Sequence, residues 1–244
     1  MELLNQETNN TWQEKVKEFS IENPDYKIIY LTLTGSKLYG LDTLDSDTDI
    51  KGIFIPSKKD LLLQKAINVY SANTQNKTKN TNKDVDFTLF SIHHFLNKLE
   101  NQKTHAIEIF YSMFREDTIL IQTQEVSIIK NYKSSLANIN LDPFIKCGDS
   151  IIKKCKLNNF KLFSHALRLS YHALELYQNN FITFPLKNEW RNNVMQVKNG
   201  EVKLIDIIKM IQANLDKIKT DNYQNDNSIT FIDELLLSIY EFDT

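Results

Sequence analysis

The chain has 244 residues, enough for one large domain or two small ones with a sizeable core. Its 41% hydrophobic and 25% charged residues are those of an ordinary globular protein. A net charge of -2 and a pI near 6.2 exclude a global pull toward nucleic acid or anionic membrane, while 29 Lys and Arg leave room for a local basic groove. No apolar run approaches the ~20 residues that span a bilayer. The start, Met1 to Gln6, has neither the basic nor the apolar region of a signal peptide. Cys147 and Cys155 lie eight apart on one expected helix, so they cannot face each other for a disulfide, and two are too few for a zinc site. Free thiols and a cytoplasmic location are expected.

In chain order, Thr11 to Glu22 places Trp12, Val16 and Phe19 on one side of a helix that Asn23-Pro24-Asp25 stops. Tyr26 to Thr34 alternates and is rich in Ile, Tyr, Leu and Thr, the pattern of a strand. Gly35-Ser36 turns the chain, and a second strand runs from Asp49 to Ile55, ended by Pro56. Lys58 to Val69 reads as a helix and Asn73 to Lys83 as an exposed polar loop whose lysines are a weak candidate for RNA backbone contact. Asp84 to Phe90 is a third strand, Ser91 caps a helix to Asn101, and Thr104 a helix to Phe114.

Beyond Glu125 strand signals fade. Amphipathic segments follow at 126–138, 143–156, 159–177, 203–220 and 230–242, with Phe181 to Pro185 as one extended interruption. Strands with helices first and helices afterwards make an α+β fold. The expected division is residues 1–138 as a first domain of strands and helices and 139–244 as a helical C-terminal subdomain.

The chemistry concentrates in Leu33-Thr34-Gly35-Ser36-Lys37-Leu38-Tyr39-Gly40, followed by Ser46-Asp47-Thr48-Asp49-Ile50-Lys51-Gly52. A strand ending in Gly-Ser lets backbone approach a phosphate, because glycine has no Cβ in the way. The Ser36 hydroxyl and nearby N–H groups can donate to anionic oxygens, and Lys37 adds charge. Alone, Gly-Ser is also an ordinary turn.

Asp47 and Asp49 add weight, since residues two apart on a strand share a face. Carboxylates so placed raise each other's pKa unless a cation sits between them. Mg²⁺ takes one or two carboxylates plus substrate phosphates, with Mn²⁺ the alternative ion. The ordinary alternative is a solvated Asp-rich turn capped by Ser46. Asp86 on the third strand, with Asp84 as fallback, completes a triad if that strand neighbours the Asp49 strand. Three carboxylates are enough for two ions that activate a hydroxyl and stabilise a leaving pyrophosphate.

Gly35-Ser36, Asp47-x-Asp49 and a carboxylate on a later strand follow the motif order of the DNA polymerase beta-like nucleotidyltransferase superfamily. The fuller set, Gly35-Ser36-x-x-Tyr39-Gly40, Ser46-Asp47-x-Asp49-x-Lys51-Gly52 and Ile53-Phe54-Ile55, resembles its RNA-repair-associated branch, the RlaP/YcgL type. There an arginine more often stands where Lys51 is. The segments from Asp86 to Leu96, Glu108-Ile109-Phe110, His165 to Leu169, Phe184-Pro185-Leu186 and Gly200-Glu201 are similar more loosely. One departure is Lys103-Thr104-His105, where an Asn-Pro is expected.

The resemblance implies a polymerase beta-like core. It implies Asp47, Asp49 and Asp86 as catalytic metal ligands for two Mg²⁺ ions. Gly35 and Ser36 would lie at the nucleotide phosphates of an NTP, ATP favoured, with an RNA 3′ end such as that of tRNA as acceptor. Transfer of AMP or UMP to a protein or a small molecule is equally compatible with such a triad. A non-enzymatic nucleotide sensor or antitoxin-like module on the same fold is the reading of a different class.

Lys161, His165, Arg168 and His172 make a polar stripe at helical spacing. If it overhangs the site, Lys161 and Arg168 are candidates for the triphosphate, the histidines weaker ones. The alternative is a solvated face with His165 satisfied inside a bundle. Tyr39 is a candidate to stack on a base or to fill a turn. His93 and His94 are adjacent, not four apart, so they do not share a metal and are expected at the surface.

Overall fold

The computed structural model describes residues 4, 6–73, 81, 84–133, 141–146, 150, 159–219 and 232–240. Helix α1, Gln6–Glu22, starts earlier than expected and buries Phe19 against one face of a sheet, with Trp12 and Val16 beside it. The sheet is built from β1 (Lys27–Leu33), β2 (Thr48–Ile55), β3 (Val69–Asn73), β4 (Val85–Ser91) and β5 (Ile119–Gln122), in the order β3-β4-β2-β1-β5. β2 and β4 run parallel, and the other pairs are antiparallel. A parallel pair needs a crossover, and here it carries the short helix α3 (Lys58–Leu62) and β3.

Between β1 and β2 lies α2, Gly35–Tyr39, ended by Gly40 in the left-handed region at φ 70°. Helices α4 (Ile92–Glu100) and α5 (Thr104–Ser112) cover the other face of the sheet. Ser91 caps α4 as expected, its Oγ accepting from the His94 N–H at 3.3 Å. After α6 (Gln124–Asn131) come α7 (Phe160–Asn179), α8 (Asn188–Lys198), α9 (Leu204–Lys219) and α10 (Ile232–Tyr240). Asn159 caps α7 by accepting from the Leu162 N–H at 3.1 Å.

The α+β class is as expected. One apolar cluster runs from Ile29, Tyr30 and Ile53 of the sheet through Phe95 and Phe110 to Leu167, Val194 and Ile211 of the later helices. The expected boundary at 138/139 lies outside the described residues, as do Cys147, Cys155 and most of the polar loop after Asn73.

Four elements depart from the sequence reading. The helix expected over 58–69 stops at Leu62, and Val69–Asn73 pairs with β4 as an edge strand. Ile119–Gln122 adds a second edge strand, and Asn188–Lys198 forms a helix where none was expected. Edge strands bury only alternate or half-covered side chains, so their apolar signal is weak and tertiary pairing decides them. At the sheet centre, a Cβ on Gly52 would lie 2.4 Å from the Tyr30 carbonyl oxygen and 2.7 Å from Leu89. Glycine there lets three strands close up beside the acidic residues.

Candidate active site

The acidic residues are brought together by strand register. In the parallel β2–β4 ladder Asp49 stands directly opposite Asp86, with Thr48 opposite Val85 and Lys51 opposite Thr88. Adjacent strands lie about 4.8 Å apart, so the condition set for a triad, neighbouring strands, is met. The alternation also sorts the faces: Val85, Phe87 and Leu89 are buried in the α1 side of the core, while Asp86 lies half-buried on the opposite face. Asp84 precedes the strand, and its Oδ2 accepts from Thr81 N–H at 2.7 Å and Thr81 Oγ1 at 2.9 Å. The structure thus places Asp86, and not Asp84, in the cleft described next.

A cleft of about 1020 Å³ opens between this end of the sheet and helices α7 and α8. Gly35, Ser36, Tyr39, Asp47, Asp49 and Asp86 line one wall, and Lys161, His165, Arg168 and Lys198 line the other. Lys37 is not brought to the cleft. Its backbone carbonyl instead accepts from Arg115 Nη1 at 3.1 Å.

Gly35 has φ +58°, and a Cβ added to it would sit 1.9 Å from Asp49 Oδ2. The absence of a side chain there serves the carboxylate, whatever it later does for a phosphate. The Thr34 N–H donates to the Asp49 carbonyl at 2.8 Å and ties the two strand ends together. Ser46 shapes the preceding turn: its Oγ accepts from the Thr43 N–H at 2.9 Å.

Burial raises the Asp49 carboxyl above its ordinary value; Asp47 and Asp86 push the same way, and Lys51 and Lys161 oppose. Asp86 is raised by burial, then by Asp47 and Asp84. The Asp86 Oδ1, Ser36 Oγ and Thr34 Oγ1 atoms are buried and have no hydrogen-bond partner among the described residues. Among those residues no three His, Cys, Asp or Glu side chains are gathered closely enough to form a finished metal cage. What exists is an all-oxygen, mutually repelling set with unmatched acceptors, a chemistry that suits a hard divalent cation.

The opposite wall differs from the expectation for Arg168. Its side chain is buried, and Nη1 pairs with Glu108 Oε1 while Nη2 meets His165 Nδ1 at 2.9 Å. The guanidinium also lies 3.8 Å from the Tyr39 ring centroid. The Tyr39 hydroxyl donates to Glu108 Oε2 at 2.8 Å, and His172 Nδ1 meets Glu108 Oε1 at 2.9 Å. Tyr39 is therefore built into the wall by Arg168, with His172 and Phe184 near its ring. Burial alone would raise Glu108, but Arg168 and His172 hold it well below the carboxylate range.

Lys161 is exposed at the cleft, as its position on the stripe implies. Lys198 is an addition. Its Nζ donates to the Leu41 carbonyl at 3.0 Å, and its pKa is lowered by burial and then by Lys161. It ends a helix that sequence reasoning missed, although Trp190, Val194 and Val197 at helical spacing carry the signal. His93 and His94 are half-buried rather than at the open surface.

With this geometry in hand, residues 8–118 match the family model described as RlaP: RNA repair pathway DNA polymerase beta family. Over that span the chain is similar to the RlaP type of polymerase beta family protein, the resemblance that its motifs carry. An 87-residue stretch is 32% identical to the "Uncharacterized 38.9 kDa protein in nrdC-mobD intergenic region" of Enterobacteria phage T4, covering 35% of this chain. The match spans 26% of that relative's length, about a quarter. Among solved structures, a nucleotidyltransferase-like protein from Exiguobacterium sibiricum 255-15 aligns with 95% of this chain and 80% of that one, at 12% identity and a TM-score of 0.31. A likeness that slight carries no argument about the site. No helix among the described residues is long and apolar enough to cross a membrane.

Proposed function

We propose that the protein is a divalent-metal-dependent nucleotidyltransferase that moves an NMP from an NTP to an acceptor hydroxyl. The observation that carries this is the ladder placing Asp86 opposite Asp49, with Gly35 against the Asp49 carboxylate, Ser36 lining the same cleft, and Lys161 and Lys198 across it. The family match over residues 8–118 supports the reaction class. In the reaction the acceptor oxygen bonds to the α-phosphorus, the α–β bridging bond breaks, and pyrophosphate leaves with the bridging oxygen. The acceptor proton passes to a carboxylate, for which Asp86 with its unmatched Oδ1 is best placed.

Asp47, Asp49 and Asp86 would hold Mg²⁺, which when bound supplies charge neutralisation at the phosphates. Ser36, with its Oγ unpartnered among the described residues, is placed to donate to phosphate oxygens, and Lys161 and Lys198 to neutralise the tail. ATP is the favoured nucleotide. An RNA 3′ end is the favoured acceptor, supported by the RNA repair pathway in the description of the matching family.

The test is incubation with Mg²⁺ and each NTP labelled at the α-phosphate, with and without tRNA. Label transferred to RNA together with pyrophosphate release, abolished in D47A, D49A and D86A at unchanged fold, is the expected result. Label on protein or on a small molecule would redirect the acceptor. No label anywhere, with nucleotide binding indifferent to D47A, would remove the enzyme reading.

A further inference from the structure

We infer that His165 is a neutral hydrogen-bond donor to the nucleoside part of the bound nucleotide, and that Arg168 is the positioning residue that fixes its tautomer. The inference rests on the cleft being a nucleotide site.

Arginine carries N–H donors and no acceptor. Its Nη2 lies 2.9 Å from His165 Nδ1, so Nδ1 must present its lone pair and the ring proton must sit on Nε2. The guanidinium has little freedom to release this arrangement. It is 4% exposed, paired with Glu108 through Nη1 and stacked on Tyr39. Glu108 is in turn held by the Tyr39 hydroxyl and by His172 Nδ1. His172 Nδ1 lies between Glu108 Oε1 at 2.9 Å and Arg168 Nη1 at 3.3 Å, so the same carboxylate and guanidinium that face His165 also hold this second ring.

His165 Nε2 has no hydrogen-bond partner among the described residues, yet it is not one of the buried polar atoms left unmatched. Nε2 is therefore accessible, on a side chain that lines the cleft. Burial and then the Arg168 charge lower the His165 pKa to about 4, with Glu108 opposing and His172 adding to the lowering. The ring is neutral at physiological pH, and its proton stays on one nitrogen.

The surroundings select the ligand group. Lys161 lies one turn away on α7 and supplies the positive charge that a phosphate needs. Leu162 and Val194 give the same part of the lining an apolar character. A fixed, uncharged N–H beside apolar side chains suits an uncharged acceptor, an oxygen or ring nitrogen of the base or ribose. A site built to donate one hydrogen bond discriminates against ligands that cannot accept it.

Two measurements test this. In ¹⁵N-histidine-labelled protein, two-bond ¹H–¹⁵N correlation spectra should show His165 as the Nε2–H tautomer at neutral pH. In R168K, which keeps a charge beside Glu108, that signature should give way to a tautomer mixture. A wild-type Nδ1–H signature, or one unchanged in R168K, would overturn the inference. In the second, H165F and H165N should bind a fluorescent NTP analogue about tenfold more weakly than wild type, the scale of one neutral hydrogen bond. Inorganic tripolyphosphate should bind all three equally. Equal NTP affinity in wild type and both variants would overturn the inference and leave the cleft reading standing. Absence of NTP binding by the wild type would remove both.

Discussion

Asp49 and Asp86 are only partly buried, and their carboxyls are pushed above the ordinary range; Glu108 is buried more deeply than either and is held below it. Burial acts in the same direction on all three. The difference is company: Glu108 has a guanidinium, an imidazole N–H and a phenol, whereas each sheet carboxylate has another carboxylate as a near neighbour. The carboxylates that line the cleft and the one buried behind its facing wall thus have opposite charge balance. The complete one is architecture, and the incomplete set is where a ligand's charge is wanted.

The contrast can be broken from the complete side first, and there the effect should be largest. Glu108→Ala leaves Arg168 buried without its carboxylate, and removing one partner of a buried pair costs roughly 3–5 kcal/mol. The urea midpoint should fall accordingly, and Glu108→Gln should fall less because it still accepts from Tyr39. A midpoint unchanged in Glu108→Ala would show that the network does not hold the wall.

Acid probes the same wall by titration. His165 has a folded pKa of about 4 against an ordinary histidine value of 6.5. Between those values the unfolded chain binds more protons, so stability present above pH 6.5 is lost as pH falls toward 4. The displacement corresponds to on the order of 3 kcal/mol. Glu108 acts lower down: its folded value is depressed, so its contribution is complete above the unfolded pKa of ~4.3 and drains below it. Denaturation midpoints followed from about pH 7.5 to 4 in wild type and H165F should diverge as the pH falls from 6.5 toward 4.

Gly35→Ala tests the incomplete side by crowding it. The new Cβ meets the Asp49 carboxylate at a positive φ, and a cost of about 1–3 kcal/mol with loss of nucleotide transfer is expected. The smallest change in stability belongs to Asp86→Asn. Removing one repelling charge should leave the melting temperature unchanged or slightly raised, by less than about 1 kcal/mol. The rise in melting temperature on adding Mg²⁺, expected in wild type, should vanish in this variant. A clear destabilisation by Asp86→Asn would mean that the carboxylate is already satisfied.

Much of this site can be read from sequence because its geometry is local or periodic. Asp49 and Asp86 each sit on a strand whose alternation is plain, and spacing alone puts Asp47 beside Asp49. The pairing of β2 with β4 stays conditional on sequence alone, since nothing in the crossover between them says which strands will neighbour. The roles on α7 are harder. Spacing correctly gathers Lys161, His165, Arg168 and His172 on one stripe, but the partner of Arg168 lies 60 residues away on α5. A lone Glu in an apolar helix, Glu108 in Thr104–Ser112, is the available signal, because a carboxylate in such company needs a cation. The edge strands β3 and β5 escape for lack of buried alternation, and Lys198 escapes with its helix.

The short helix after the first strand has one more consequence. At its far end, Arg115 donates to the Lys37 and Leu38 carbonyls, the Leu186 N–H donates to the Tyr39 carbonyl at 3.2 Å, and Lys198 reaches the Leu41 carbonyl. At its near end, Thr34 Oγ1 and Ser36 Oγ have no partner among the described residues. Mechanically this is a cantilever, built in at the back by three distant parts of the chain and unloaded at the tip. A ligand arriving at the tip would meet a segment already ordered, and little of its binding energy would go into stiffening the protein.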